Sequence, residues 1–432
     1  MKYFGTDGIR GLNEIFTEGF LKKIASATVK LFGKNSPIAI ARDTRVSGRF
    51  IEETLARFLT DYGANVILLD ITATPVCAYA TKVLKCSAGI MISASHNPPE
   101  YNGIKFFGGN GAKLPSEAEL ERLIDCEEEI ISEKGEISHA DADTLYIEYI
   151  LEKLGEDKPL EGLKVLLDTA NGACAFVAPR LFNALGATVT VIANDTSGLW
   201  INENCGATHW ENLVSAMDEG DYDIGFTYDG DGDRVMAVKC GKVFDGDHII
   251  FVLAKHLKMN KKEEVGTVVG TVMTNYGAEK AFKQIGVNFL RAKVGDKYVY
   301  QEMCKLNSEI GGEASGHIIL RKYQETGDGL LASAVVALTD KESDILMLDD
   351  IKEYPQISKD IMTTPQKVIK FNESEEIAKY LEEIKDKING RAVVRASGTE
   401  PRIRIMVETA CESEAEKTAL EIRNRILKEI ED

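Results

Sequence analysis

The chain has 432 residues, too many for one ordinary hydrophobic core, and its 44% hydrophobic and 28% charged residues make a globular mixture, not a disordered one. Its formal net charge is −18, from 51 basic and 69 acidic side chains, which argues against a nucleic-acid partner because such binding needs a basic face. A small anionic substrate remains compatible, since a cleft can be locally positive on an acidic protein.

The eight cysteines are scattered and contain no C-x-x-C pair, so neither a disulfide framework nor a zinc site is expected. The longest apolar run, 330–338, is too short to cross a bilayer. Met1-Lys2-Tyr3-Phe4 opens directly into polar, glycine-rich sequence with no signal-peptide pattern. These features predict a soluble, cytoplasmic protein with reduced thiols and no membrane partner.

One pattern recurs three times: apolar strand, polar turn, amphipathic helix, then Gly-Ala or Gly-Val and a second strand. It runs from Ile38-Ala39-Ile40-Ala41 through a helix over 49–62 to Gly63-Ala64. It returns from Val165-Leu166-Leu167 through 175–185 to Gly186-Ala187, and again from Val268-Val269 through 277–285 to Gly286-Val287. Glycine after each helix suits a left-handed cap, and the short apolar runs suit strands buried on both faces. The C-terminal segment differs: a helix over 373–388, a strand, a loop, a strand over 403–407 and a helix over 412–431. Ser116 and Glu119 form a capping box at the start of another helix, 127–143 is acidic and polar, and Gly155-Glu156-Asp157-Lys158-Pro159 reads as a linker. The region 339–365 reads as the separator before the C-terminal segment. The fold class expected is α/β: three similar α/β domains with mixed sheets plus a smaller C-terminal α+β domain, arranged around a central cleft. The expected boundaries are 1–150, 151–245, 246–360 and 361–432.

Four polar loops carry the chemistry. The first, Ser93-Ala94-Ser95-His96-Asn97-Pro98-Pro99, follows the strand 88–92, at the strand end where open α/β sheets bind ligands. Alone it reads equally well as an ordinary Ser/Asn/Pro turn. With His96 beside it and Lys105 soon after, Ser95 becomes a nucleophile or phosphoryl carrier. The second is Asp229-Gly230-Asp231-Gly232-Asp233-Arg234. Three carboxylates at alternate positions can direct oxygens at one hard cation. An EF-hand loop is excluded, because its glycine and glutamate positions hold Arg234 and Cys240. Mg²⁺ with open positions for phosphate oxygens fits better.

The third loop, Gly311-Gly312-Glu313-Ala314-Ser315-Gly316-His317, offers Glu313 and Ser315 to sugar hydroxyls or an amine. By itself it is a simple turn. The fourth, Arg395-Ala396-Ser397-Gly398-Thr399-Glu400-Pro401, is suited to hold a phosphate that is not transferred, with Arg404 adding to it or facing solvent. A hairpin connection is the plainer alternative. Taken together, a phosphoryl carrier, a Mg²⁺ triad, a sugar reader and a phosphate clamp are far more specific than any one of them.

In this order the motifs resemble the α-D-phosphohexomutase superfamily over essentially the whole chain. Phe4-Gly5-Thr6-Asp7-Gly8-Ile9-Arg10-Gly11, Cys205-Gly206-Ala207-Thr208-His209, Val294-Gly295-Asp296, Thr326-Gly327-Asp328-Gly329 and the run 395–408 are most similar to its bacterial branch acting on glucosamine phosphates. Two positions depart from the pattern: Lys297 stands where arginine is expected, and Trp210 follows His209. The resemblance implies an isomerase interconverting glucosamine 6-phosphate and glucosamine 1-phosphate for amino-sugar and cell-wall precursors. Phosphoserine 95 and a glucosamine 1,6-bisphosphate serve as intermediates. It implies one Mg²⁺ held by Asp229, Asp231, Asp233 and the phosphorylated Ser95. Lys105 is the general acid/base, Arg10, His96 and Arg234 support the transferred group, and His317 either moves a proton or binds the sugar. Glu313 and Ser315 read the sugar, and Arg395, Ser397, Gly398, Thr399 and Arg404 hold phosphate. A monomer or homodimer is expected. The alternatives are a phosphomannomutase/phosphoglucomutase, separable by rates on the three 6-phosphates, and a metal-dependent sugar-phosphate phosphatase, which would release phosphate without isomer.

Overall fold

The computed structural model describes all residues except 1, 6, 115–116, 127–132, 156, 260, 262–263, 398–400 and 432. Ser116 of the predicted capping box, Glu156 of the linker and Gly398 and Thr399 of the phosphate loop therefore lie outside the described residues. The chain divides into two compact units, one of Met1–Thr271 with Leu290–Asp349 and one of Val272–Phe289 with Asp350–Asp432.

The larger unit is built on three mixed sheets. The first has the order Ile9–Leu12, Tyr101–Gly108, Ala88–Ile92, Ile38–Arg42, Val66–Ile71, Ile137–His139. Its inner strands Ala88–Ile92, Ile38–Arg42 and Val66–Ile71 run parallel, and Tyr101–Gly108 and Ile9–Leu12 are added antiparallel. The parallel strands are apolar along most of their length (Ile38, Ile40, Ala88, Ile90 and Ile92 are fully buried), as in a sheet covered by helices on both faces. The second sheet has the order Lys242–Phe244, Val235–Lys239, Ile224–Tyr228, Lys164–Asp168, Thr188–Ile192. The third has the order Asn288–Ala292, Thr267–Thr271, Ile310–Gly312, Ile318–Leu320.

The repeats appear as strand, helix and strand: helices Val46–Asp61, Cys174–Ala184 and Tyr276–Gln284 stand in the expected places. Gly63, Gly186 and Gly286 follow them with φ of 87°, 94° and 66°, the left-handed turn that a side chain resists. The third copy differs in allegiance, since its helix belongs to the smaller unit. There the Arg391 guanidinium donates to Val272 O and Thr274 O, and Glu408 accepts from Tyr276 N.

The smaller unit is a three-stranded antiparallel sheet in the order Gln356–Met362, Arg402–Thr409, Gly390–Ala396, with helices Pro365–Glu373, Glu375–Lys387 and Glu412–Glu431. In the last helix Ala415, Ala419, Ile422, Ile426 and Ile430 recur at helical spacing and are buried against Ile403, Ile405 and Val407. Two expectations are corrected here. The separator 339–365 contains a full strand, Gln356–Met362, paired over seven residues with Arg402–Thr409. The stretch 365–373, for which no element was expected, is a helix, Pro365–Glu373, whereas the helix expected over 373–388 is found as Glu375–Lys387, started by the Ser374 side chain accepting from Ile377 N.

Candidate active site

The strand Ala88–Ile92 delivers Ser95 to the carboxyl end of the first sheet. Ser93 Oγ accepts from Ser95 N at 2.8 Å, and Ser95 takes a left-handed backbone with φ 54°. That conformation is uncommon for a residue with a side chain and costs free energy that the surroundings must supply. Ser95 Oγ donates to Asp229 Oδ2 at 2.6 Å and lies 3.3 Å from His96 Nδ1. Burial, then the charges of Arg234 and Arg10, pulls His96 down to about 4, so it is a neutral imidazole beside the hydroxyl at neutral pH.

The second sheet delivers the carboxylates. Ile224–Tyr228 is wholly buried, and directly after it Asp229, Asp231 and Asp233 bring ligand oxygens within 4.8 Å of one another. Both glycines between them are required. A Cβ on Gly230 would lie 2.7 Å from Ser95 O, and Gly232 has φ 72°. Thr74 Oγ1 donates to Asp231 Oδ2 at 2.6 Å. Asp231 Oδ1 and Asp233 Oδ1 are buried without a hydrogen-bond partner among the described residues. Burial and the charges of Asp233 and Asp231 push the Asp229 carboxyl up. A hard cation fits this donor set: oxygen ligands, negative charge and two oxygens without hydrogen bonds in one place.

Lys105, on Tyr101–Gly108, is 1% exposed and donates to Asp231 Oδ2 at 2.7 Å and Asp233 Oδ2 at 3.0 Å, with Asp7 Oδ2 3.2 Å away. Burial alone would lower its pKa, but the three carboxylates outweigh it and hold the ammonium well above the ordinary lysine value. Asp7 continues into a chain of charges. Its Oδ1 is 2.8 Å from Lys113 Nζ, which also pairs with Asp296, and Asp296 Oδ2 is 3.5 Å from His317 Nε2. His317 Nδ1 is 3.7 Å from Asp233 Oδ1, so the chain closes on the triad. Burial opposes a charge on His317, yet Asp233 and Asp296 raise its pKa. Gly327 is needed behind it, because a Cβ there would lie 2.1 Å from His317 Nε2.

The larger unit thus gathers Ser95, His96, Lys105, the three aspartates, Arg234 and His317. Arg234 Nε stands 4.0 Å from both Asp229 Oδ2 and Asp233 Oδ1. Arg10, on Ile9–Leu12, is close enough for its charge to act on His96 and Lys105. Glu313 Oε1 accepts from Gly295 N at 3.0 Å, and Glu313 and Ser315 are half-buried. In the smaller unit, Arg395 and Arg404 are exposed and directly opposed across two strands. Like charges at such a position repel, and on its other side Arg404 stands opposite Asp360. Ser397 N donates to Arg402 O at 2.8 Å. Sequence reasoning missed Asp7, Lys113 and Asp296 as a network, although Asp7 and Asp296 stand in motifs it singled out. It also missed Thr74, which donates to Asp231.

Comparison with known proteins bears on this arrangement. Models described as phosphoglucomutase/phosphomannomutase alpha/beta/alpha domains I, II and III match residues 1–130, 144–241 and 245–354, and the C-terminal domain of that family matches 348–425. A phosphoglucosamine mutase of Carboxydothermus hydrogenoformans is 41% identical over 430 residues, 95% of each chain. The chain belongs to the phosphoglucomutase/phosphomannomutase family. Its fold agrees with that of a phosphoglucomutase/phosphomannomutase family protein from Burkholderia thailandensis, with a TM-score of 0.81, 22% identity and coverage of 99% and 97% of the two chains. It also resembles Aspergillus fumigatus N-acetylphosphoglucosamine mutase, solved with GlcNAc-6P and magnesium, with a TM-score of 0.65, 18% identity and coverage of 90% and 82%. Among the described residues no helix is long and apolar enough to cross a membrane.

Proposed function

We propose that the chain is a phosphoglucosamine mutase that carries a phosphoryl group on Ser95. It interconverts glucosamine 6-phosphate and glucosamine 1-phosphate in the cytoplasm, on the route to amino-sugar and cell-wall precursors. The observation that carries the chemistry is the 2.6 Å hydrogen bond from Ser95 Oγ to Asp229 inside a buried carboxylate triad braced by Lys105. The choice of sugar rests on the 41% identity with a phosphoglucosamine mutase over nearly the full length of both chains.

In the forward step the Ser95 Oγ–P bond breaks and a P–O bond forms to the free sugar hydroxyl, giving the 1,6-bisphosphate. That hydroxyl loses a proton and Ser95 Oγ gains one. Lys105, kept protonated by Asp231, Asp233 and Asp7, is the general acid/base in this reading: it would give a proton to the leaving serine and, once emptied, accept the hydroxyl proton. Arg10, His96 and Arg234 support the transferred group. Asp229, Asp231 and Asp233, with a Ser95 phosphate oxygen, would hold Mg²⁺, which when bound neutralises charge on the transferring group. The reverse transfer returns the other phosphate to Ser95.

Glu313 and Ser315 read the sugar, with His317 beside them, and the opposed Arg395 and Arg404 with Ser397 hold a phosphate that is not transferred. The loops at 95, 229, 313 and 395 fall one in each of the segments 1–150, 151–245, 246–360 and 361–432, which we take as the four functional domains.

The test is isomer formation from glucosamine, glucose and mannose 6-phosphates with Mg²⁺ and catalytic 1,6-bisphosphate, alongside intact mass after exposure to the bisphosphate. A phosphate on Ser95, loss of turnover in Ser95→Ala and the fastest rate on the glucosamine substrate are expected. Substantial turnover in Ser95→Ala, or phosphate release without isomer, overturns the assignment.

A further inference from the structure

Behind the Ser95 loop stand two side chains that the phosphoryl chemistry does not use. Arg45 ends the turn after Ile38–Arg42 and is 1% exposed. Its Nε lies 3.0 Å from Asp43 Oδ2, which balances its charge in the interior. The rest of the guanidinium is spent on backbone. Nη2 donates to Ser95 O at 2.9 Å and Asn97 O at 2.7 Å, and Nη1 donates to Tyr101 O at 3.0 Å and to Pro98 O. From the second sheet's side, Asn202 Nδ2 donates to the same two carbonyls, Ser95 O at 2.9 Å and Asn97 O at 3.0 Å. Asn202 is itself fixed, its N donating to Ala170 O at 2.9 Å.

Four carbonyl oxygens converging on one point repel one another unless a donor-rich cation lies between them. Arg45 is that cation, and Ser95 O and Asn97 O each receive a second donor from Asn202. The reward for this expenditure is local, because Ser95 holds an unfavourable left-handed backbone with φ 54°. Fixing its carbonyl on one side leaves Oγ directed to Asp229 on the other.

Resting on the reading of Ser95 as the phosphoryl carrier, we propose that Arg45 and Asn202 are positioning residues. They clamp the backbone of the Ser95 loop so that Oγ is aimed at the carboxylate triad. The clamp joins two domains, since Arg45 comes from the first sheet's segment and Asn202 from the second's. The serine is thereby registered against the metal-binding loop by hydrogen bonds that need no metal.

The test uses the full-length enzyme carrying Asn202→Ala, Asn202→Asp or Arg45→Lys. Its readouts are kcat and KM for the 6-phosphate, Ser95 phosphorylation by intact mass, and amide exchange of the peptide spanning 93–101. Asn202→Asp places a carboxylate oxygen against two carbonyls, so it should lose more activity than Asn202→Ala. A space-filling role predicts the opposite order. In Asn202→Asp and Arg45→Lys kcat should fall by at least about tenfold, as expected for a small misplacement of a reacting atom, while KM changes by less than about threefold. Exchange over 93–101 should rise while other peptides stay as they are. If Arg45→Lys does not fold, the two Asn202 variants decide the matter. An Asn202→Asp enzyme with wild-type kcat and unchanged exchange, or one milder than Asn202→Ala, overturns the clamp. A wild-type enzyme that neither turns over nor accepts phosphate on Ser95 overturns the carrier reading instead.

Discussion

Replacing Lys105 with methionine removes one charge while keeping nearly all of the buried volume. The lysine nitrogen lies 2.7, 3.0 and 3.2 Å from carboxylates of Asp231, Asp233 and Asp7, and its side chain is only 2% exposed. Removing one partner of a buried ion pair costs about 3–5 kcal/mol, because the charge left behind has neither partner nor water. The loss should depend on pH, and its sign can be worked out. In the intact protein Asp7 and Asp233 are buried, which would raise them, but Lys105, with Lys113 and, at Asp233, His317, outweighs this and holds both below the usual carboxylate range. Such groups contribute stability at pH above their ordinary value, and that contribution is lost as pH falls through their folded pKa. Without Lys105 both are held down less, so the stability they contribute above the ordinary carboxylate range shrinks, while little is lost at a pH low enough to protonate them. The deficit of Lys105→Met should therefore be largest near pH 8 and shrink toward about pH 4. Denaturant unfolding in EDTA at pH 8 and pH 5 measures it. Added Mg²⁺ should recover more stability in the variant than in the wild type, reaching about 2.7 kcal/mol at 100 times its Kd. A deficit that is equal at the two pH values, or below about 1 kcal/mol at pH 8, would refute the electrostatic account.

Gly230→Ala would set a Cβ 2.7 Å from Ser95 O and 2.8 Å from Asn202 Nδ2. The overpacking should cost about 1–3 kcal/mol and lower kcat by more than about tenfold, read by thermal unfolding and turnover; unchanged turnover would mean that the loop has slack. Tyr146 OH donates to both oxygens of Asp328, at 2.8 and 2.7 Å, and burial pushes that carboxyl up to about 6. Tyr146→Phe should cost about 1.5–3 kcal/mol at pH 8 and less at pH 5, since a raised carboxyl carries its full penalty only above its folded pKa. Equal losses at the two pH values would contradict this.

The triad was legible because metal binding asks for carboxylates at close spacing, and three aspartates alternating with glycines state that locally. Ser95 was legible for a similar reason, as a hydroxyl at a strand end followed by turn residues. The network through Asp7, Lys113 and Asp296 was not. Each residue reads alone as a solvated surface charge, and only the fold brings residue 7 beside 113 and 113 beside 296. Arg45 looks like any arginine opening a helix, and Asn202 like any asparagine in a polar turn. Their partners are carbonyls, which leave no mark on a sequence. The strand Gln356–Met362 was missed because it buries only Ile361 fully, so its alternation is faint. The helix Pro365–Glu373 was missed because it buries only Phe371, which leaves little apolar periodicity to read.

The stretch Val272–Phe289 belongs to the same compact unit as Asp350–Asp432, and its backbone is held by Arg391 and Glu408. During synthesis it leaves the ribosome long before those residues exist. Roughly 120 residues separate its end from the completed strand Arg402–Thr409, a wait of about 6–24 s at the usual rate of translation of about 5–20 residues per second. The smaller unit therefore closes only after the chain has been made through Arg402–Thr409. A chain cut short before residue 391 leaves a helix without its anchors, exposed to proteases and to chaperones.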